Sequence, residues 1–372
     1  MKKKILFATT SPATLQAFVI PLVEDLQDSN YEIELLCGQG ELELDGKLST
    51  SNLHQVKLGR NISILEDLKS IPQCFTIIRR IKPDIIIAST PKISPIVILS
   101  AWLLRIPIRI FQIRGARWEG LSGWRRTLVQ LADRMASAFS TNLLAVSKSL
   151  SEQFEKSGIS RKSVTVLGKG ASKGVDLEVF TGMDPNFDSN LRVIGFLGRL
   201  SIDKGLDQAL ETFDQINHEF PDVILEVIGT LDHTQPIQSS ELARISSDPK
   251  IKWLQYVPNS DLPEVVGKWN LLLFPSNREG LPNAVIEVGA MGVPTVGWNV
   301  TGVRDAVVNG ETGFLLPYGD TKAMALKVSE ILRDTDKLNM RRNTQKFVRE
   351  NFDSDLVSKN FIEYLKSLEG KK

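Results

Sequence analysis

The stretch Leu271–Ala290, LLLFPSNREGLPNAVIEVGA, passes from one kind of structure to another within a few residues. Leu271 to Phe274 form a short apolar run closed by Pro275, the pattern of a strand buried on both faces. A polar loop, Ser276 to Gly280, follows. A helix comes next, and Pro282 suits its first position, where a missing N–H costs nothing and φ is already set. A strand that leads directly into a helix is half of a strand–helix–strand unit, and such units produce parallel sheets because parallel strands need a crossover.

The same rhythm extends in both directions. The second half carries LRVIGFLG, VILEVIG, KIKWLQYV, LLLFP, PTVGW and GFLLP, most of them bounded by Gly or Pro; the first half carries KKILFAT, YEIELLC, LHQVKL, DIIIAST, RIFQI, NLLAVS and VTVLG. The expectation is an α/β protein of two tandem Rossmann-like units, residues 1–180 and 191–354. The polar, turn-rich FTGMDPNFDSN supplies a linker at 181–190, and a final helix at about 355–372 packs back on the first unit. A chain of 372 residues is long enough for two cores.

Composition narrows the function classes. Hydrophobic residues make up 42% and charged ones 24%, which is ordinary for a globular protein. The longest apolar run, Ile96 to Leu104, is too short to span a bilayer. The basic start MKKK is followed by an apolar core too short for a signal peptide and reads as the first strand. Cys37 and Cys74 lack the spacing of a disulfide framework or a zinc site, in keeping with a reducing cytoplasm. The net charge of +1 hides an asymmetry: residues 1–180 hold 24 Lys/Arg and 17 Asp/Glu, or +7, leaving 21 and 27, or −6, for the rest. The basic half is therefore the one suited to an anionic surface. No nucleic-acid recognition motif accompanies it, and no nucleic-acid partner is expected.

Parallel sheets bind ligands at the carboxyl ends of their strands, so the residues after each run carry the chemistry. In GFLGRLSIDKG, Arg199 and Lys204 precede a helix near Leu206, and a guanidinium and an ammonium beside a helix N-terminus suit a diphosphate. After LLLFP, the amides of Gly280, Leu281 and Asn283 stand at the positive end of the next helix, again fit for an anion. Glu279 lies ahead of that helix and Glu287 inside it, two carboxylates able to accept from paired sugar hydroxyls.

These stretches, followed by TGVRDAVVNGETGFLL, resemble in order and spacing the retaining glycosyltransferases of family 4, and the resemblance covers the whole chain. It implies the GT-B architecture, two Rossmann-like domains facing across a cleft, the first for the acceptor and the second for a nucleotide-sugar donor. It implies that Arg199 and Lys204 clamp the donor diphosphate, that Glu287 holds the ribose hydroxyls, and that Glu279 contacts the donor sugar as a catalytic residue. The segments LGKGASKGVD and IRGARWEGLSGWRR resemble the branch that builds capsular and other surface polysaccharides on lipid carriers. Family members often carry a histidine near the donor sugar. Here His54, His218 and His233 all lie elsewhere, while Arg114, after RIFQI, stands in that region and is assigned a catalytic role. Val303-Arg304-Asp305 stands where a Pro-Glu is common.

The resulting expectation is a metal-independent hexosyltransferase. Its donor is a nucleotide sugar such as a UDP-sugar, bound as substrate with no cofactor, and its acceptor is a lipid-linked or growing saccharide. The triplets Asp334-Thr-Asp336 and Asp353-Ser-Asp355 fall in the polar helical tail and read as solvated faces. Ala101 to Lys162 holds 11 Lys/Arg against 4 Asp/Glu together with Trp102, Trp118 and Trp124, a mixture that suits peripheral attachment to an anionic membrane at its inner face. A GT-B nucleotide-sugar epimerase and a non-catalytic nucleotide-sugar binder are the alternatives. A dinucleotide-binding dehydrogenase is disfavoured because Gly168, Gly170 and Gly174 are spaced one residue too widely for its fingerprint.

Overall fold

The computed structural model describes residues 2–42, 44, 48–58, 64–182, 191–232, 235–333 and 337–370, with the side chains of 64–68 and 337 left aside. The chain divides into two compact units, Met1–Lys173 with Val357–Lys372, and Gly174–Leu356. The division falls at Gly174 rather than at 180. Of the expected linker, residues 183–190 lie outside the described residues.

The first unit is built on β1 (Lys3–Ala8), β2 (Tyr31–Gly38), β3 (Leu53–Val56), β4 (Ile85–Ser89), β5 (Ile108–Ile113), β6 (Asn142–Ala145) and β7 (Val164–Val166). They form one parallel sheet in the order β3-β2-β1-β4-β5-β6-β7. Its helices are α1 (Pro12–Phe18), α2 (Val23–Asp28), α3 (Ile64–Ile81), α4 (Ile93–Leu103), α5 (Gly123–Phe139) and α6 (Lys148–Lys156). Alternation along the strands builds two cores. Ile5, Phe7, Ile33, Leu35, Ile85 and Ile87 point to one face, and Leu6, Ala8, Leu36, Ile86 and Ala88 to the other. The second face is covered by Cys74 and Ile78 of α3 and by Val97 and Ile98 of α4. Because both faces are buried, β4 reads as IIIAS with every residue inside. Cys37 and Cys74 are free thiols, and burial raises them to about 11 and about 12, so neither is a ready nucleophile.

The second unit repeats the plan with β8 (Val193–Leu197), β9 (Ile224–Ile228), β10 (Ile251–Leu254), β11 (Leu271–Phe274), β12 (Thr295–Trp298) and β13 (Gly313–Leu316), all parallel in the order β10-β9-β8-β11-β12-β13. The helices are α7 (Leu206–Glu219), α8 (Ser239–Ser247), α9 (Leu262–Val266), α10 (Asn283–Ala290), α11 (Val303–Ala306), α12 (Thr321–Arg333) and α13 (Lys337–Phe352). Ile194 and Phe196 of β8 pack with Phe213 and Ile216 of α7 and with Met324 and Val328 of α12. On the opposite face Gly195 leaves room for the ring of Trp269, since a Cβ there would lie 1.9 Å from Trp269 Cε3. The indole Nε1 donates to Glu226 Oε2 at 2.7 Å, so the buried ring keeps its one polar atom satisfied.

Arg341 of α13 is 1% exposed, yet its guanidinium donates to the carbonyls of Trp269 (2.7 Å), Gly267 (3.2 Å) and Met291 (3.4 Å), tying α13 to the turns that follow α9 and α10. The last helix, α14 (Ser354–Glu369), begins at the end of the second unit and runs on into the first from Val357. There Phe361, Ile362 and Leu365 join the core beside β1. Tyr31 of β2 donates to Glu369 Oε1 at 2.9 Å, and burial, helped by this bond, pushes its phenol well above the usual range. Asp353 Oδ1 accepts from Asp355 N at the start of α14 at 3.1 Å, whereas Asp334 and Asp336 lie outside the described residues.

Candidate active site

In the second unit the strand order reverses at the β8–β11 pair, and the loops leaving the carboxyl ends of β8, β11 and β12 meet there. Two glycines permit the contact. Gly205 has φ 71°, and a Cβ on it would fall 2.2 Å from Pro275 O; Gly302 has φ 80°, and its Cβ would fall 2.6 Å from Gly280 O. Backbone hydrogen bonds fasten the loops, Asn277 N to Asp203 O at 2.9 Å and Glu279 N to Thr301 O at 3.2 Å.

This stitching sets the side chains. Lys204 Nζ is ion-paired with Glu279 Oε1, and the two side chains are 18% and 13% exposed, shielded enough for the pair to be stronger than a surface one. Ser276 Oγ donates to the same carboxylate oxygen at 2.8 Å. Arg278 Nη2 lies 3.9 Å from Asp203 Oδ2, and Ser201 Oγ donates to Asp203 Oδ1 at 2.6 Å. The structure thus joins one member of the expected basic pair directly to one member of the acidic pair. Asp203 and Ser276 were not singled out from the sequence, although both lie inside the loops that were.

Arg199 is placed differently. Its side chain is 61% exposed and ion-paired with Asp232, after β9, where a close approach of Gly229 to Gly198 O brings the neighbouring loops together. Glu287 lies within α10 and is half-buried. Pro282 is the N-cap of α10, with Asn283 the first helical residue, one position away from the sequence expectation. Its fixed φ, −78°, still sets the entry into the helix, and no side chain caps the first turn. The positive end of α10 thus carries no capping side chain at its N-cap position.

In the first unit, the ends of β1 and β4 meet through Thr10 and Thr90. Thr90 Oγ1 accepts from Thr10 N at 3.0 Å, the two hydroxyls are 2.7 Å apart, and Thr90 holds φ 87°, a strained value for a β-branched residue. Arg114 follows β5. Its Nη2 donates to Gln112 Oε1 at 3.0 Å, and its guanidinium carbon sits 4.6 Å from the centroid of the Phe18 ring. The residue as a whole is partly exposed, but Nε and Nη1 are closed off from solvent and have no hydrogen-bond partner among the described residues. Burial draws its pKa down to about 9, which leaves it positive at neutral pH.

The basic, indole-bearing region resolves into a surface on α4 and α5. Trp124 is 65% and Trp102 47% exposed, whereas Trp118 is 2% exposed and belongs to the interior, contrary to its grouping with the other two in the sequence. Trp124, Leu128, Leu131 and Met135 recur with helical spacing along the outer side of α5, flanked by exposed Arg125, Arg126 and Arg134. The inner side holds Val129, Asp133, Ala136 and Ser137. Burial raises the Asp133 carboxyl to about 7, and Asp133 Oδ1 has no hydrogen-bond partner among the described residues. The helix is thus apolar outside and partly polar inside, the reverse of an ordinary surface helix. Among the described residues no helix is long and apolar enough to cross a membrane.

Comparison with known proteins bears on the fold and the family. The family model described as glycosyl transferases group 1 matches residues 183–350, and that described as glycosyl transferase 4-like domain matches residues 15–170. The capsular polysaccharide biosynthesis glycosyltransferase CapM of Staphylococcus aureus is 30% identical over 364 residues, 94% of either chain. A UDP-Gal:alpha-D-GlcNAc-diphosphoundecaprenol alpha-1,3-galactosyltransferase of Escherichia coli is 23% identical over 328 residues, 84% of this chain and 82% of its own. Among solved structures, the sucrose-phosphate synthase of Thermosynechococcus elongatus superposes with a TM-score of 0.81 at 15% identity over 100% of both chains. HepE of Anabaena in complex with UDP gives 0.77 at 18% identity, covering 99% of this chain and 100% of its own.

The two parallel sheets with their helices are the GT-B fold of glycosyltransferases. Within that class the chain belongs to the group 1 glycosyl transferases, family 4.

Proposed function

We propose that the protein is a retaining, metal-independent hexosyltransferase of surface-polysaccharide biosynthesis. It moves a sugar from a nucleoside-diphosphate sugar, such as a UDP-sugar, to a lipid-linked or growing saccharide. The observation that carries this reading is the contact of Lys204 with Glu279 where the β8, β11 and β12 loops converge. The names of the relatives support it, one a capsular polysaccharide enzyme and one acting with UDP-Gal on a diphosphoundecaprenol-linked sugar, as does the UDP held by HepE.

The chemistry follows from the residues. Departure of the nucleoside diphosphate concentrates negative charge on the phosphate oxygen as the C1–O bond breaks. Lys204, released from Glu279, and Arg199 supply positive charge there, and the amides of Gly280, Leu281 and Asn283 add hydrogen bonds at the positive end of α10. Glu279, freed of its lysine, accepts from the donor sugar hydroxyls near C1, and Glu287 accepts from the ribose hydroxyls. The acceptor hydroxyl forms the new C1–O bond on the face the phosphate leaves, and its proton passes to the leaving phosphate oxygen. Arg114 serves the acceptor-binding unit. The exposed apolar stripe of α5 with Arg125, Arg126 and Arg134 suits an anionic bilayer, so we assign the protein a peripheral place at the inner face of the membrane.

The test is release of nucleoside diphosphate from a panel of nucleotide sugars, with and without a prenyl-diphosphate-linked saccharide. Release that needs the acceptor is expected, and Glu279→Gln is expected to lower kcat about 100-fold while changing donor affinity far less. Sugar interconversion without an acceptor would replace this reading by an epimerase. Donor binding with no turnover on any acceptor would replace it by a binding protein.

A further inference from the structure

Arg114 presents an unsolved electrostatic problem inside the first unit. Two of its guanidinium nitrogens, Nε and Nη1, are buried without an acceptor among the described residues, and the groups it touches, the Gln112 amide and the Phe18 ring, are neutral. An aromatic face offsets part of the desolvation of a cation, but it provides neither a counter-charge nor an in-plane acceptor. Gln16 Oε1, on the same helix as Phe18, is a buried acceptor without a donor; even a bond to it would satisfy a single N–H and leave the charge uncompensated. A buried guanidinium that keeps its charge and has two N–H groups without an acceptor marks a position completed by an anion from outside the chain.

The chemistry of that anion is constrained. Nε and Nη1 do not share an edge of the guanidinium, whose remaining nitrogen, Nη2, is held by Gln112. A carboxylate grips one edge with its two oxygens. A diphosphate, with oxygens on two centres, reaches more than one.

We propose that Arg114 recognises the diphosphate of a lipid diphosphate acceptor, its Nε and Nη1 donating to phosphate oxygens. This rests on the acceptor class proposed above and gives that acceptor a named contact in the first unit. It also makes Arg114 a residue whose charge is kept for its ligand at the expense of stability.

Thermal unfolding of the full chain and of Arg114→Met and Arg114→Lys tests this, with farnesyl diphosphate, farnesol, inorganic pyrophosphate and UDP as probes. Farnesyl diphosphate is expected to raise the midpoint of the parent protein by about 2–4 °C, and farnesol not at all. Pyrophosphate giving a shift equal to that of farnesyl diphosphate would overturn the lipid part of the assignment in favour of free phosphates. Arg114→Met is expected to unfold at a higher temperature than the parent without ligand, to lose the farnesyl diphosphate shift and to keep the UDP shift. A lower ligand-free midpoint would mean that the cation stacked on Phe18 is structural, and an undiminished farnesyl diphosphate shift would remove Arg114 from the site; either overturns the proposal. So does loss of the UDP shift alone, which would make the anion the donor's. Should Arg114→Met fail to fold, Arg114→Lys decides, with about tenfold weaker half-saturation expected and unchanged half-saturation contradicting the assignment. Absence of a UDP shift in every protein would instead sink the donor reading while leaving this one standing.

Discussion

Arg341 and Arg114 are both withdrawn from water, one in each unit, and their surroundings treat them in opposite ways. Arg341 distributes its donors over three main-chain carbonyls and so holds α13 to two turns of its own unit. Arg114 has one amide oxygen, one aromatic face and two nitrogens with nothing to bond. The side chain is the same; the difference lies in what the fold brings to meet it. A buried cation with its hydrogen bonds complete works as a cross-brace. One with its bonds incomplete weakens the scaffold and is informative about what the scaffold is for.

The contrast breaks most easily at Arg341. Arg341→Met strands the carbonyls of Gly267, Trp269 and Met291 and is expected to cost ~3–5 kcal/mol in urea unfolding. An equal loss in Arg114→Met would erase the distinction. Asp133 sharpens the contrast as a buried charge of opposite sign. Its carboxyl titrates near 7 in the fold against an ordinary value of 3.8, so the unfolded chain gives up its proton first and stability falls as pH rises from about 4 to about 7. Asp133→Asn should therefore gain ~2–4 kcal/mol at pH 8 and flatten that slope, as followed by unfolding at a series of pH values.

Gly302→Ala probes a site held by backbone proximity instead of charge. A cost of ~1–3 kcal/mol is expected together with weaker binding of a UDP-sugar, and loss of stability with unchanged affinity would separate the glycine from the pocket. The smallest effect on folding belongs to Trp124→Ser. Unfolding should move by less than ~0.5 kcal/mol, while cosedimentation with anionic vesicles weakens roughly tenfold; unchanged cosedimentation would remove α5 as the attachment surface.

Strands were the most legible part of the sequence. Each of the thirteen runs that set the strand–helix rhythm became a strand, because parallel strands covered on both faces are apolar and end at turn-forming residues, whereas the longest apolar run, Ile96 to Leu104, went to α4. The loops that carry Lys204 and Glu279 could be located for the same reason, lying directly after those runs. Pairings across the fold were not. Lys204 and Glu279 are 75 positions apart, and nothing local in either loop says that they meet. Linear composition also grouped Trp102, Trp118 and Trp124, whereas the turn before α5 buries the second and α5 exposes the third. The isolation of Arg114 could not be read at all, since it depends on which residues fail to arrive beside it.

The bond between Lys204 and Glu279 has a consequence for selectivity. On the proposed mechanism, a bare nucleoside diphosphate takes the lysine and abandons the glutamate, whereas an intact nucleotide sugar engages both. The resting lock therefore favours the whole donor over its fragments. Once the sugar has left, its re-closure helps expel the spent nucleotide and limits inhibition by product.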